Sequence, residues 1–271
     1  MPCKIDACTA DANLHPVFFI DADNALGSPT GDVDDAYAIA ALVRGGAEIA
    51  AISSVAGNTP EALAYENNAR LAKLLGWHGP VLRGAEARSV LRTFPGRILA
   101  LGPLTNVSVA TAASEVMIVG ARLHTLGRWP GFWPHEFNLT HDREATHKVF
   151  ASRLPLTFFP LDVVRMLRIR RRDLDAIEGE LGDVLRHGGA RWFRQRVLKK
   201  PALRFPMSDL IPALYALGED GFTMEETTAT MRANTFVQFG KGTRKVRVCT
   251  RLDAKKLWER FLAIVNSINE L

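Results

Sequence analysis

Cysteine and long apolar runs are scarce in this chain, and each scarcity excludes a class of protein. The cysteines, Cys3, Cys8 and Cys249, are odd in number and far apart, which fits neither a disulfide framework nor a zinc site. No apolar run approaches the roughly 20 residues that a membrane-spanning helix needs. Residues 1–15 lack the basic and then apolar pattern of a secretory signal. These features predict a protein of the reducing cytoplasm with no membrane partner.

The remaining composition is that of a globular protein with a sizeable core. Of the 271 residues, 47% are hydrophobic and 23% are charged, with a net charge of +5. Arginine and lysine concentrate between positions 165 and 204, which could indicate a nucleic-acid-binding surface. Acidic residues are interleaved with them and few aromatic residues accompany them, so we favour a solvated helical surface and expect no nucleic-acid partner.

Apolar stretches of strand length alternate with helical patterns over the first part of the chain. Strands are predicted at residues 17–20, 48–53, 97–101, 122–126 and 156–161. Helices are predicted at residues 36–44, at 59–75 with Thr59 as N-cap and Pro60 in first position, and at 143–152 with Asp142 as N-cap. This alternation predicts an α/β fold with a mainly parallel central sheet flanked by helices, a Rossmann-like open sheet.

The C-terminal part of the chain has a different pattern. Residues 172–204 read as helical with a break at Gly188 and Gly189, residues 227–251 as a hairpin, and residues 254–268 as an amphipathic helix. No internal repeat, low-complexity tract or linker separates these segments. We therefore expect a single domain over residues 1–271 that ends in a small hairpin and a helix.

Five aspartates lie close together where the first predicted strand ends. Asp21 and Asp23 follow the apolar residues of that strand, and Asp32, Asp34 and Asp35 precede the next helix. Carboxylates gathered at the end of a strand repel one another unless a cation neutralises them or several are protonated. Oxygen-only ligands suit Ca²⁺ or Mg²⁺ rather than zinc. The pattern indicates a divalent-metal site, and the alternative is a solvated acidic loop that caps the helix.

Short polar motifs recur along the chain, several of them where predicted strands end. They are Asp-Ala-Asp at 21–23, Gly-Asp-Val-Asp-Asp-Ala at 31–36, Val-Ala-Gly-Asn at 55–58, Leu-Gly-Pro-Leu-Thr-Asn at 101–106, Glu-Phe-Asn at 136–138 and Leu-Asp-Val at 161–163. Ser208 and Asp209 supply a seventh. In this order the motifs resemble those of the inosine–uridine-preferring nucleoside hydrolases, Ca²⁺-dependent enzymes that cleave the N-glycosidic bond of ribonucleosides. The resemblance implies a nucleoside substrate, a calcium cofactor and a dimer or tetramer.

The resemblance also implies which residues bind calcium. Asp23 would be both a calcium ligand and the general base that deprotonates the attacking water. Asp35, the backbone carbonyl of Thr105 and Asp209 would complete the protein ligands. Asp21 would order Asp23 from the second shell of the site.

Four further residues are implied to bind the ribose. Asp34, Asn58 and Asn138 would hydrogen-bond its 2′- and 3′-hydroxyls, and Glu136 would bind its 5′ end. Simpler explanations exist for several matched residues: Asn58 could be a turn residue, Glu136 and Asn138 could form the polar face of a strand, and Asp209 could be a helix N-cap. Thr105 and Asn106 could likewise form an N-cap pair.

The chain departs from the usual motifs of the family at three places. Residues 24–33 form a longer connection between Asp23 and Asp34 than is usual, and Ser208 stands where a histidine proton donor is common. His135 is the nearest alternative donor in sequence. Three aromatic residues between positions 129 and 133 replace a polar loop, which predicts altered recognition of the 5′ end.

Two other functions stay open at this point. The strand followed by Asp21-Ala22-Asp23 also fits a haloacid-dehalogenase-like, Mg²⁺-dependent phosphatase. Such an enzyme needs a late acidic pair after a strand, and the pairs at 219–220 and 225–226 follow no apolar strand. The departures above suggest a catalytically impaired nucleoside-binding protein on the same scaffold.

Overall fold

A computed structural model describes residues 16–28, 32–123, 136–199 and 204–267 of the chain. Its strands are β1 Phe18–Ala22, β2 Ile49–Ser54, β3 Val81–Leu82, β4 Arg97–Ala100, β5 Glu115–Val119, β6 Leu156–Phe159, β7 Arg168–Ile169, β8 Phe205–Pro206, β9 Phe222–Met231, β10 Val237–Phe239 and β11 Arg244–Leu252. Its α-helices are α1 Asp34–Arg44, α2 Glu61–Leu74, α3 Gly84–Leu91, α4 Phe137–His141, α5 Arg143–Ala151, α6 Leu161–Val164, α7 Gly179–Lys199, α8 Leu210–Ala216 and α9 Ala254–Asn266. Two 3₁₀ turns lie at Val107–Val109 and Arg171–Ala176.

Nine of these strands form one sheet in the order β10-β9-β11-β6-β5-β4-β1-β2-β3. The pairs from β11 to β3 are all parallel, and β9 runs antiparallel to both of its neighbours. The predicted mainly parallel sheet flanked by helices is confirmed. The C-terminal hairpin extends that sheet, because β11 pairs with β6.

Both faces of the sheet are buried. In β1, Phe18, Ile20 and Ala22 pack into one hydrophobic cluster with α1, α8 and α9, whereas Phe19 points into a second cluster on the opposite face. This alternation follows from the two-residue period of a strand. Because α1 packs most extensively against α8, the aspartates at the starts of these two helices are brought together.

Several boundary predictions are confirmed and three are wrong. Asp142 caps α5 as predicted, since its carboxylate accepts a hydrogen bond from the amide of Ala145. The strand predicted at 122–126 is absent from its described part, residues 122–123, and the strand instead spans Glu115–Val119. Sequence pattern missed it because it begins with a charged residue, yet Glu115 is buried and accepts a 2.5 Å hydrogen bond from Thr157.

The predicted break at Gly188 and Gly189 is also wrong, since α7 continues through both glycines. A side chain at Gly188 would overlap Leu26, and one at Gly189 would lie 2.8 Å from the hydroxyl of Tyr37. Gly188 therefore brings α7 close to Leu26, and Gly189 brings it close to Tyr37 of α1. Similarly, α2 begins one residue later than predicted, with Pro60 at the N-cap position and no side-chain cap. The Thr59 hydroxyl lies 3.1 Å from that of Ser28 instead.

Within the described ranges, no helix is both long and apolar enough to span a lipid bilayer.

Candidate active site

The end of β1 places two buried carboxylates at the carboxyl edge of the sheet. Asp21 Oδ1 accepts hydrogen bonds from Ser53 Oγ at 2.6 Å and from Asn106 Nδ2 at 2.9 Å, and its Oδ2 has no partner. Burial raises the pKa of Asp21 to about 6, although these two bonds and the nearby Arg88 favour its ionised form. The Asp21 side chain is therefore fixed by hydrogen bonds from β2 and from the segment after β4.

Asp23, two residues later, is enclosed by the ends of the neighbouring strands. Its Oδ2 accepts a 2.5 Å hydrogen bond from the backbone amide of Asn58, and its Oδ1 is buried without a partner. Gly57 and Gly102 make room for this carboxylate: a Cβ at Gly57 would overlap Oδ2, and one at Gly102 would lie 3.0 Å from Oδ1. Burial, followed by repulsion from Asp34 and Asp21, raises the pKa of Asp23 to about 7.

Three more carboxylates meet between the starts of α1 and α8. Asp34, Asp35 and Asp209 are buried, and each offers an oxygen within 4.8 Å of the others. Asp34 Oδ2 accepts hydrogen bonds from the amides of Ser208 and Asp209 at 2.8 and 3.3 Å. Both oxygens of Asp35 are without a partner. Burial and mutual repulsion raise the pKa values of Asp35 and Asp209 well above the ordinary range.

The environment of Asp209 argues against a purely local role. It occupies the N-cap position of α8, but its side chain makes no capping hydrogen bond. The carboxylate lies instead beside Asp34 and Asp35, where it meets only repulsion from other carboxylates. The alternative that Asp209 is simply an N-cap is thus not supported.

This group of oxygens fits a hard divalent cation. Asp23 and Asp35 are fully buried, and three of their four carboxylate oxygens have no hydrogen-bond partner. Buried carboxylates without partners are costly, and a cation bound among them would remove that cost. An all-oxygen donor set is the kind that Ca²⁺ and Mg²⁺ bind. The resemblance grouped Asp23 with Asp35 and Asp209, whereas the tightest described group contains Asp34 in its place.

The predicted ribose ligands lie at the same edge of the sheet. Asn58 follows β2 and is exposed, and Asn138 donates from Nδ2 to the carbonyls of Leu101 and Val119 at 2.8 and 3.2 Å. Asn138 therefore bridges the ends of β4 and β5. The carboxylate of Glu136 accepts hydrogen bonds from the amides of Asn138 and Leu139, and burial raises its pKa to about 7.

Thr105 and Asn106 follow β4. The carbonyl of Thr105 accepts a 2.8 Å hydrogen bond from Ser108, and its hydroxyl donates to Asp142. Asn106 precedes the 3₁₀ turn Val107–Val109 but makes no side-chain cap, so the predicted alternative of an N-cap pair is not supported. His135, the aromatic residues between 129 and 133, and Gly31 lie outside the described residues.

A buried chain of amides behind the site was missed by sequence reasoning. Asn24 donates to Asn68 at 3.0 Å, Asn67 donates to the carbonyl of Asn24 at 2.9 Å, and Asn68 donates to the carbonyl of Ser53. All three amides are buried, and they tie the segment after Asp23 to α2 and β2. The only signal in the sequence is an asparagine pair inside a helix, where asparagine is unfavourable.

An open parallel sheet with a buried acidic cluster beyond its strand ends defines an α/β enzyme whose site lies at that edge. The chain belongs to the inosine–uridine preferring nucleoside hydrolase family, whose family model matches residues 95–259. It is accordingly a hydrolase that acts on nucleosides, and the predicted family is confirmed. The late acidic residues Glu225 and Glu226 lie within antiparallel β9, so nothing supports a phosphatase of the haloacid dehalogenase type.

Solved structures share this fold at low sequence identity. A plant nucleoside hydrolase is 15% identical, with a TM-score of 0.80 over 94% of this chain and 100% of that one. A purine-preferring ribonucleoside hydrolase from Gardnerella vaginalis is 14% identical, with a TM-score of 0.77 over 92% and 98%. An inosine-uridine preferring nucleoside hydrolase from Bacillus anthracis is 14% identical, with a TM-score of 0.67 over 93% and 99%. No curated protein matches the sequence significantly.

Proposed function

We propose that this protein is a Ca²⁺-dependent hydrolase that releases base and ribose from a ribonucleoside. The observation that carries the proposal is the set of buried carboxylate oxygens without partners on Asp23 and Asp35, beside Asp209. Such oxygens are costly unless they are protonated or bound, and four neighbouring carboxylates suit a doubly charged cation better than a neutral ligand.

Asp23, Asp35, Asp209 and the carbonyl of Thr105 would hold the ion. A bound Ca²⁺ would neutralise the carboxylates and lower the pKa of the attacking water. The Asp34 carboxylate receives two amide hydrogen bonds and fixes the start of α8, which keeps Asp209 against Asp35. Asp21 would hold the end of β1 in place behind Asp23.

Asp23 is the residue best suited to take the proton from water. The Asn58 amide fixes its Oδ2, while the buried Oδ1 is free to accept a proton. Hydrolysis of a ribosyl bond passes through an oxocarbenium-like sugar that water attacks from the face opposite the departing base. A carboxylate at the floor of the site would deprotonate that water as it attacks.

Asp34, Asn58, Asn138 and Glu136 would bind the ribose. The support is positional, since all four follow a strand or begin a helix at the edge that carries Asp23. Ser208 cannot act as a strong acid, so leaving groups that need no protonation should be favoured. p-Nitrophenyl riboside should therefore have a higher kcat than inosine or uridine.

One experiment separates the candidate functions. The purified protein is incubated with a panel of nucleosides and with p-nitrophenyl phosphate, each in Ca²⁺, in Mg²⁺ and in chelator. Free ribose that appears only with Ca²⁺ supports the proposal. Phosphate release would indicate a phosphatase, and nucleoside binding without turnover would indicate an impaired binding protein. A cytoplasmic location and assembly into dimers or tetramers also stay predictions, the second testable by light scattering.

A further inference from the structure

A hydrogen-bonded path runs from a partly exposed arginine on α3 to the buried carboxylate of Asp21. Arg88 donates from Nη1 to Asn106 Oδ1 at 2.9 Å. Asn106 donates from Nδ2 to Asp21 Oδ1 and to the carbonyl of Ser54, both at 2.9 Å. Asn106 is 1% exposed and Asp21 is fully buried, so water does not substitute for these bonds.

The hydrogen bonds of this path allow only one orientation of the Asn106 side-chain amide. Its NH₂ group faces two acceptors, and its oxygen faces a cation. A flipped amide would oppose its oxygen to a carboxylate and its NH₂ group to a guanidinium, so every contact would become repulsive. The packing is also tight, because a Cβ at Gly84 would lie 3.1 Å from Asn106 Oδ1 and 3.3 Å from Arg88 Nη1.

Asp21 is positioned by this path and in turn bears on the site. Its backbone carbonyl accepts from the amide of Leu101, which ties β1 to the segment that carries Thr105. Only Ala22 separates Asp21 from Asp23, so the backbone position of Asp21 constrains that of Asp23. Asn106 itself follows Thr105 directly.

We propose that Arg88 is a positioning residue for the metal-binding carboxylates and acts on them through Asn106 and Asp21. Arg88 donates its hydrogen bond to Asn106 and not to a proposed ligand of the ion. It fixes the amide that holds Asp21, and thereby the end of β1 that carries Asp23. The inference rests on the proposed calcium site.

The direction in which Ca²⁺ affinity changes when Arg88 is replaced distinguishes a positioning role from a purely electrostatic one. Loss of a positive charge near a cation site should tighten Ca²⁺ binding if Arg88 acts only through its long-range field. Loss of a positioning contact should weaken it, and removal of an outer partner of metal ligands typically costs about 10–100-fold in affinity. The two explanations therefore predict changes of opposite direction.

The test measures Ca²⁺ affinity of the full chain by isothermal titration calorimetry. We expect Arg88→Met to weaken binding about tenfold or more and Arg88→Lys to restore part of the loss, because lysine keeps a cationic donor. Arg92→Met is the matched control: Arg92 is an exposed arginine at the C-cap of the same helix, and its loss should leave the affinity unchanged. The melting temperature in chelator should be similar for Arg88→Met and Arg92→Met.

A double mutant tests the path itself. Asn106→Leu removes the middle of the path, so adding Arg88→Met to it should cause no further loss of affinity. The inference would be overturned if the two substitutions had additive effects on Ca²⁺ affinity, or if Arg88→Met bound Ca²⁺ as tightly as wild type or more tightly. It would also be overturned if Arg88→Met lowered the melting temperature in chelator as much as Asn106→Leu does. If Asn106→Leu does not fold, Arg88→Met, Arg88→Lys and Arg92→Met still test the inference, because the direction of the change in Ca²⁺ affinity distinguishes positioning from long-range electrostatics. Wild-type protein that binds no Ca²⁺ would overturn the proposed function rather than the role of Arg88 alone.

Discussion

Acidic residues occupy two regions of this molecule in opposite environments. At the carboxyl edge of the sheet, Asp23 and Asp35 are fully buried and have oxygens without partners. On the antiparallel side, exposed Asp220 and Glu226 pair with Lys256 and Arg247 at 3.5 and 3.7 Å. Exposed pairs contribute little to stability, and buried unpaired carboxylates reduce it. The first region therefore reduces stability, as the proposed metal site would require, whereas the second contributes little to stability.

The largest effect should come from replacing Asp23 in the first region. Asp23→Asn keeps the shape of the side chain but cannot accept a proton from water, so kcat should fall about 10²–10⁴-fold. Asp220→Asn is the matched change in the second region and should leave kcat unchanged. The measurement is ribose release at saturating nucleoside and Ca²⁺. An Asp23→Asn enzyme that keeps more than about a tenth of wild-type kcat would show that Asp23 is not the base.

Calcium and pH should act together on stability through the first region. Folding raises the pKa of Asp21 to about 6 and that of Asp23 to about 7 from an ordinary value of 3.8. The metal-free native state therefore binds more protons than the unfolded state in this range, so stability should fall as pH rises from about 4 to about 7. Ca²⁺ binds the ionised form and should stabilise the protein by about 2.7 kcal/mol at 100 times its Kd.

This linkage is measured by thermal melts between pH 5 and 8, in chelator and in Ca²⁺. The increase in Tm with Ca²⁺ should be larger at pH 8 than at pH 5, and Asp220→Asn should behave like wild type. An increase that does not depend on pH would mean that Ca²⁺ binds away from the buried carboxylates.

Asp35→Asn is expected to increase the stability of the metal-free protein, by less than Ca²⁺ binding stabilises the wild type. The change removes a buried charge that has no partner, so it should raise stability by about 1 kcal/mol at pH 8, or about 2–4 °C in Tm. The same variant should lose Ca²⁺ affinity and activity, because an amide is a weaker ligand than a carboxylate. If Asp35→Asn lowers the Tm in chelator, Asp35 stabilises the fold and the contrast between the two regions is wrong.

The sequence predicted the first region well because local patterns mark it. Apolar residues before Asp21 indicated a buried strand, and parallel strands place their carboxyl ends at one edge, so convergence of Asp23, Asn58 and Thr105 followed from topology. Proximity of Asp209 to Asp35 depends on the packing of α8 against α1, and no local pattern carries that information.

The misses share a physical cause. The path from Arg88 to Asp21 joins residues far apart in sequence, and no local pattern links Arg88 to the motifs that contain Asn106 and Asp21. Gly188 and Gly189 read as a helix break because local propensity disfavours glycine, but close packing against Leu26 and Tyr37, respectively, requires them. Tertiary contacts decided both cases.

The smallest effect should come from the ion pair between Glu219, which follows α8, and Arg260 on α9. Glu219 lies just beyond the end of α8 opposite Asp209 and accepts two hydrogen bonds from Arg260, at 2.7 and 2.8 Å. The Arg260 side chain is 49% exposed, so Glu219→Gln should reduce the free energy of unfolding by less than about 1 kcal/mol. Because the pair is screened by salt, the difference from wild type should shrink at about 1 M NaCl. Ca²⁺ affinity and kcat/KM should not change, since Asp34 already fixes the start of α8 by accepting hydrogen bonds from the amides of Ser208 and Asp209 at the other end of the helix. A loss of Ca²⁺ affinity in Glu219→Gln would show that α8 transmits surface contacts to the site, and the two acidic regions would then be coupled.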